Sequence, residues 1–240
     1  MKKLMLASTL SAIVLMAACF SVQAAWMAVD AQSNVFGAGH AYAPDPGGGG
    51  GGVLPPYFAL PSGGGLVLTF SSVTGSVSCG PGWSGPDGGP YASGTTDILS
   101  YGGISGIVNN DATMFLVGVF LDDNEPVDPA PARLDFTGNT GFASIAPSLA
   151  QVFFIGDGLT GTGSGAVQEF YAPAGATRLF LGFADAYEFG YPTSYPGYYN
   201  DNSGQLEVEF DVSSVPEPGS LLALGTGLVG LTGLALRRRS

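Results

Sequence analysis

Apolar residues come in short runs broken by turn formers. The clearest runs are 66–70 (LVLTF), 114–120 (MFLVGVF), 152–155 (VFFI), 178–183 (RLFLGF) and 206–212 (LEVEFDV). The last alternates strictly: Leu206, Val208, Phe210 and Val212 are apolar, with Glu207, Glu209 and Asp211 between them. That period of two predicts a strand with one face buried and the other in water. Run 114–120 is apolar at every position except Gly118, the pattern of a strand covered on both faces. Residues 25–214 show no convincing helical period. Short strands between Gly, Pro, Asn and Asp turns predict an all-β sandwich or barrel. One-faced and two-faced strands together favour the two-sheet sandwich. The six glycines at 47–52 predict a flexible loop.

The two ends read differently from the middle. Lys2 and Lys3 precede an apolar run, and Val22-Gln23-Ala24 offers short residues before a cut. This predicts a secretory signal peptide over 1–24, cleaved after Ala24 or next after Ala25. A faint lipoprotein box ends at Cys19, with an unusual Met16 three positions earlier. At the other end, Pro216-Glu217-Pro218 leads into an uncharged stretch at 219–236 and then Arg237, Arg238 and Arg239. Eighteen apolar residues just suffice to cross a bilayer, and the arginines would stay cytoplasmic. A plain C-terminal anchor would look similar. The three features in this order resemble the PEP-CTERM sorting signal of Gram-negative bacteria. The resemblance implies export, transient residence in the inner membrane through the tail helix, and processing by an exosortase. It further implies a destination at the cell surface or in the extracellular matrix of an exopolysaccharide producer. The expected organisation is a signal peptide (1–24), a Gly/Pro-rich N-terminal region (25–64), a sandwich (65–214) and a sorting segment (215–240).

Charge narrows the partners. Five of the 7 basic residues lie in the two signals, so only Arg133 and Arg178 remain, against 18 acids once Glu217 is set aside. Such a surface repels phosphate backbones, which excludes nucleic acid, and attracts divalent cations. Cys79 stands alone once Cys19 leaves, so no internal disulfide can form in an oxidising compartment.

Some motifs are weaker than they look. Gly156, Gly158 and Gly161 match G-x-G-x-x-G, but TGTGSGAVQEF follows and cannot start the helix a dinucleotide site needs. A glycine-rich hairpin is the better account. His40, the only histidine, has no companion for a metal site or triad. Cys79 has no basic neighbour in sequence and reads as structural.

The carboxylates carry more. Asp87, Asp122 and Asp185, and the cluster Asn200, Asp201 and Asn202, all fall near predicted strand ends. Grouped oxygen ligands suit Ca²⁺, which takes six to eight. Asp and Asn also favour turns for local hydrogen-bonding reasons. Turn chemistry is the better account for Asp87 and Asp122, and metal binding for Asp185 with Asp201 and Asn202.

The chain from GLVLTFSSVTGSVSCG through MFLVGVF to YAPAGATRLFLGFADAY and YYNDNSGQLEVEF resembles the calcium-dependent galactose-binding bacterial lectins of the PA-IL type. It is also similar to the lectin-like domain of many PEP-CTERM proteins. The resemblance implies a jelly-roll, galactose-binding-like β-sandwich. It implies Ca²⁺ held by Asp185, by the pair Asp201 and Asn202, and by backbone carbonyls, with sugar hydroxyls on the same ion. Asp201 stands where the lectins carry Asn. The loop between Asp185 and Asp201 is longer than theirs and holds Tyr187, Tyr191, Tyr195, Tyr198 and Tyr199. Tyr187, Tyr198 and Tyr199 either stack on a sugar or pack the loop onto the sandwich.

The expected function is non-enzymatic: an envelope or matrix protein that binds Ca²⁺ and surface polysaccharide. The alternatives are a structural matrix protein with calcium as a staple, and a glycoside hydrolase using two carboxylates.

Overall fold

The structure, a computed structural model of the 240-residue chain, describes residues 22–62, 64–80, 82–90, 95–187 and 194–214. Lys2, Lys3, Cys19, Tyr191, Pro216, Glu217, Pro218, the 219–236 stretch, Arg237, Arg238 and Arg239 lie outside the described residues.

The strands are β1 (Val22–Asp30), β2 (Tyr57–Ala59), β3 (Leu66–Ser78), β4 (Thr96–Ile98), β5 (Ile107–Asn109), β6 (Val117–Leu121) and β7 (Leu134–Asp135), followed by β8 (Ser144–Ile145), β9 (Val152–Phe154), β10 (Leu159–Gly161), β11 (Ser164–Val167), β12 (Glu169–Tyr171), β13 (Arg178–Gly182) and β14 (Ser203–Ser214). Helix among the described residues is confined to two 3₁₀ turns, Val35–Gly37 and Tyr199–Asp201. The fold is all-β, as the apolar pattern predicts. No described helix is long and apolar enough to cross a membrane, and the 219–236 stretch lies outside that statement.

A five-stranded sheet runs β1-β14-β3-β12-β8, antiparallel except where β12 meets β8. A four-stranded antiparallel sheet runs β2-β13-β6-β9. A three-stranded sheet β4-β5-β7 and the hairpin β10-β11 complete the set. Phenylalanines from the two larger sheets meet in one core. Phe58 on β2 meets Phe210 on β14 edge-on at 5.3 Å, and Phe153 on β9 lies 5.7 Å from Phe170 on β12. Burying each such ring contributes about 1.5–3 kcal/mol, and edge-to-face geometry adds about 0.5–1.5 kcal/mol.

β14 buries Leu206, Val208, Phe210 and Val212 and turns its acids outward, as its alternation predicts. All of 114–120 is buried, but pairing begins only at Val117: Met114 adopts a left-handed φ of 53°, and Leu116 N–H donates to the Pro86 carbonyl instead (2.8 Å). β3 continues past Phe70 to Ser78. A bulge leaves Ser71 unpaired between the Glu209–Ser72 and Phe210–Phe70 pairs. Inward positions then shift from Leu66, Leu68 and Phe70 to Val73 and Val77.

The N-terminal region does more than lead into the sandwich, since β1 and β2 are members of its two larger sheets. The expected cut after Ala24 falls inside β1 and would leave Ala25–Asp30 paired with β14. His40, beside the Pro/Gly-rich segment, is held between Glu125 Oε1 (2.8 Å from Nδ1) and the Gly102 carbonyl (2.9 Å from Nε2). The glycine run is also fixed, as described below.

Candidate functional site

The site forms where β1, β13 and β14 end together. Beyond β13, Phe183 is clamped between Ser33 and Val35: its N–H donates to Ser33 O (2.8 Å) and its carbonyl accepts from Val35 N–H (3.1 Å). Two residues on, Asp185 is 1% exposed. Its Oδ1 accepts from Ala186 N–H (2.7 Å) and its Oδ2 from Asn202 Nδ2 (2.7 Å). Asn202 follows the 3₁₀ turn that opens β14, and its Nδ2 also donates to the Ala31 carbonyl (3.2 Å). Asn202 Oδ1 is buried and has no partner. Sequence reasoning pairs Asp185 with Asn202, and the structure brings them into direct contact. The contact is made by the amide nitrogen, whereas a shared cation would need the oxygen. Asp201, between the two asparagines, is exposed.

Burial pushes the Asp185 carboxyl well above its ordinary range. The Asn202 and Ala186 donors pull it down, and the Asp201 charge pushes it further up. Burial, then the nearby Asp185 charge, also raises the Tyr199 phenol well above its usual range. The Cys79 thiol is pushed up to about 12, by burial first and by Asp185 second, so it is inert and borders the site. Among the described residues the ion pairs are His40–Glu125 and Arg133–Asp97, and neither touches Asp185. A buried carboxylate without a cation is costly to ionise, so it takes up a proton or a cation. The available donors are carboxylate, amide and carbonyl oxygens, the set Ca²⁺ prefers. No three His, Cys, Asp or Glu side chains converge among the described residues. A full calcium shell would therefore draw on backbone carbonyls, water or ligand hydroxyls.

The glycines at 47–52 form the wall of this end. Gly47 N–H donates to Pro196 O (2.9 Å), Tyr198 N–H to Gly48 O (2.8 Å), and Tyr199 N–H to Gly50 O (2.9 Å). Gly52 N–H donates to Asn200 Oδ1 (3.0 Å). A Cβ at Gly50 would lie 2.1 Å from Asn200 Nδ2, and Gly50 has φ +105°. The run is glycine because the 196–200 segment lies against it, not because it must stay loose. Gln32 completes the wall, its Nε2 donating to the Asn200 and Asn202 carbonyls (3.2 Å each).

The other expected site residues separate. Tyr199 is fully buried: its hydroxyl donates to Phe183 O (3.0 Å) and accepts from Asp185 N–H (3.0 Å). It packs and positions the loop and presents no face to a sugar. Tyr187 is 60% exposed, and its ring lies 5.1 Å from that of Tyr198, which sits in a left-handed conformation at φ 66°. Asp87 turns to another loop, where its Oδ1 accepts from Asp157 N–H (2.9 Å). Asp122 closes its own turn, accepting from Asn124 N–H (2.9 Å) and Nδ2 (2.8 Å). Sequence reasoning missed Ala31, Gln32 and the glycine wall. The density of glycine at 47–52 is a signal of close approach rather than of freedom.

Residues 214–239 match the family model described as the PEP-CTERM protein-sorting motif. No curated protein and no solved structure matches the chain. The motif marks an exported protein that is anchored transiently in the membrane and processed by an exosortase.

Proposed function

We propose that this exported, exosortase-sorted protein is a lectin-like, non-enzymatic component of the cell envelope or extracellular matrix. Its jelly-roll-like sandwich holds Ca²⁺ at Asp185, Asp201 and Asn202 and binds surface polysaccharide there. The observation that carries the reading is the buried Asp185 carboxylate, without a cationic partner among the described residues and beside an unpartnered Asn202 Oδ1. Rotating the Asn202 amide by half a turn would present that oxygen to an ion shared with Asp185. Bound Ca²⁺ would supply a charge partner for Asp185 and open positions for sugar hydroxyls. Asp201, exposed and adjacent, would add the second carboxylate.

A second reading is calcium-free. Burial favours the protonated Asp185 carboxyl, and a neutral acid paired with Asn202 would be a structural contact only. Thermal unfolding in EGTA, followed by a calcium titration, separates the two. At a hundredfold excess over Kd, binding to the native state alone adds about 2.7 kcal/mol, on the order of 5–10 °C in Tm for a chain of this size. A saturable rise, lost in Asp201→Ala, supports the calcium reading. A flat response leaves the calcium-free reading.

A further inference from the structure

Both tryptophans of the chain are exposed, Trp26 at 60% and Trp83 at 64%. Trp26 stands in the middle of β1 opposite Glu209, away from the site. Trp83 stands at the site end. Its Cζ3 lies 2.6 Å from where a Gly204 Cβ would be, so the indole rests directly on β14 backbone that has no side chain. The Gly204 carbonyl accepts from Ala31 N–H (3.0 Å), and the Ala31 carbonyl accepts from Asn202 Nδ2, which also donates to Asp185. Three hydrogen bonds thus connect the indole's support to the buried acid. Cys79, four residues before Trp83, is subject to both Asp185 and Asp201 charges.

The same arrangement recurs nearby. A Cβ at Gly49 would lie 2.5 Å from Cγ and Cδ1 of Tyr198, whose ring neighbours the exposed Tyr187. Two aromatic groups are therefore backed by bare glycine, and Trp83 and Tyr187 remain largely open to water. Rings fixed from behind lose little entropy on binding. An apolar sugar face stacks on them while its hydroxyls reach the polar groups alongside.

Charge defines which sugar. Arg133 is engaged by Asp97 and the Ile98 carbonyl, and Arg178 by the Asp122 and Asn124 carbonyls. These are the only basic residues between the two signals besides His40, which faces Glu125. An acidic sugar finds no free side-chain cation among the described residues, and the two charges of a bound Ca²⁺ would be balanced by Asp185 and Asp201, leaving an acidic surface that disfavours a uronate.

We infer that Trp83 and, separately, the Tyr187–Tyr198 pair offer aromatic stacking faces next to the Asp185 site, which selects neutral hexoses over uronic acids. This rests on the carbohydrate reading above. The test uses the full chain in detergent micelles with Trp26→Phe, which leaves Trp83 as the sole tryptophan. Methyl hexosides and their uronic acid counterparts are titrated in calcium, with fluorescence and calorimetry read in parallel. The expected result is a saturable shift of Trp83 emission with a neutral hexoside and none with its uronic acid. Trp83→Ala should weaken binding about tenfold without lowering Tm, and Trp83→Phe should restore part of it. Calorimetric binding that leaves Trp83 emission unchanged, or equal binding of the uronic acid, overturns the stacking role alone. Absence of calorimetric binding for every sugar overturns the carbohydrate reading and the stacking role with it.

Discussion

Asp185 and Asp87 both lie outside strands, and burial pushes both carboxyls upward. They are built into the fold differently. Asp87 is half-buried in the turn between Gly85 and Gly88, and its Oδ1 caps the Asp157 N–H of a neighbouring turn. Turn backbone and a nearby threonine account for what it does. Asp185 is sealed between three strand ends, and the side chain facing it carries an oxygen with no partner. An acid at a strand end is common turn chemistry. A sealed acid with spare acceptor capacity beside it is not explained by turn chemistry.

The comparison breaks most sharply under substitution. Asp185→Ala removes the acceptor of Ala186 N–H and one of the two acceptors of the Asn202 amide, so stability should fall by about 2–3 kcal/mol, with any calcium response abolished. Chemical unfolding in EGTA measures the first and a calcium titration the second. Gly50→Ala combines a strained φ with overlap on Asn200. It should lower stability by about 2 kcal/mol or more, and unchanged stability would mean that the glycine wall is loose after all. Tyr199→Phe removes a hydroxyl that serves two buried backbone groups. A loss of about 1–2 kcal/mol is expected in urea melts, with the calcium response retained.

Acidity gives a subtler contrast. Because the folded Asp185 carboxyl titrates above its unfolded value, the native state binds more protons than the unfolded state between the two. Stability in EGTA should therefore rise on acidification from neutral pH, down to the unfolded value of about 3.9. Calcium should blunt this rise, and Asp185→Asn should remove its part of it, as Tm measured against pH would reveal. Asp87→Asn should do least. It keeps an acceptor for Asp157 and relieves a desolvated charge, so Tm should change by an amount equivalent to less than about 1 kcal/mol, with calcium affinity intact.

Much of this was legible in local pattern. The alternation of β14 gave its buried face, and the double-sided apolar run gave β6. The pairing of Asp185 with Asn202 leans on the family resemblance more than on spacing, and the two side chains do touch. What stayed hidden depends on contacts between distant parts of the chain. The Ser71 bulge shifts the phase of β3, so a period-two reading stops at Phe70 although the strand does not. Tyr199 is chemically indistinguishable in sequence from Tyr198, yet one is fully buried and the other only half. The glycine run packs against residues about 150 positions away, and single-sequence composition cannot distinguish close approach from looseness.

The register of β1 on β14 has a mechanical consequence. Val22 pairs with Ser213 at one end of the sheet, and Asp30 pairs with Gln205 at the other, beside Asn202 and Asp185. The sorting tail thus leaves from the end opposite the site, a strand of 12 residues away, about 40 Å. β14 lies between β1 and β3 and is bonded to both. While the tail is still in place, tension between it and a ligand held as proposed near Asp185 would run along β14. The covalent backbone of β14 would carry that load between its two ends, while the ladders on either side hold the strand extended. The strand that connects tether to site would then also be the one best placed to bear the pull.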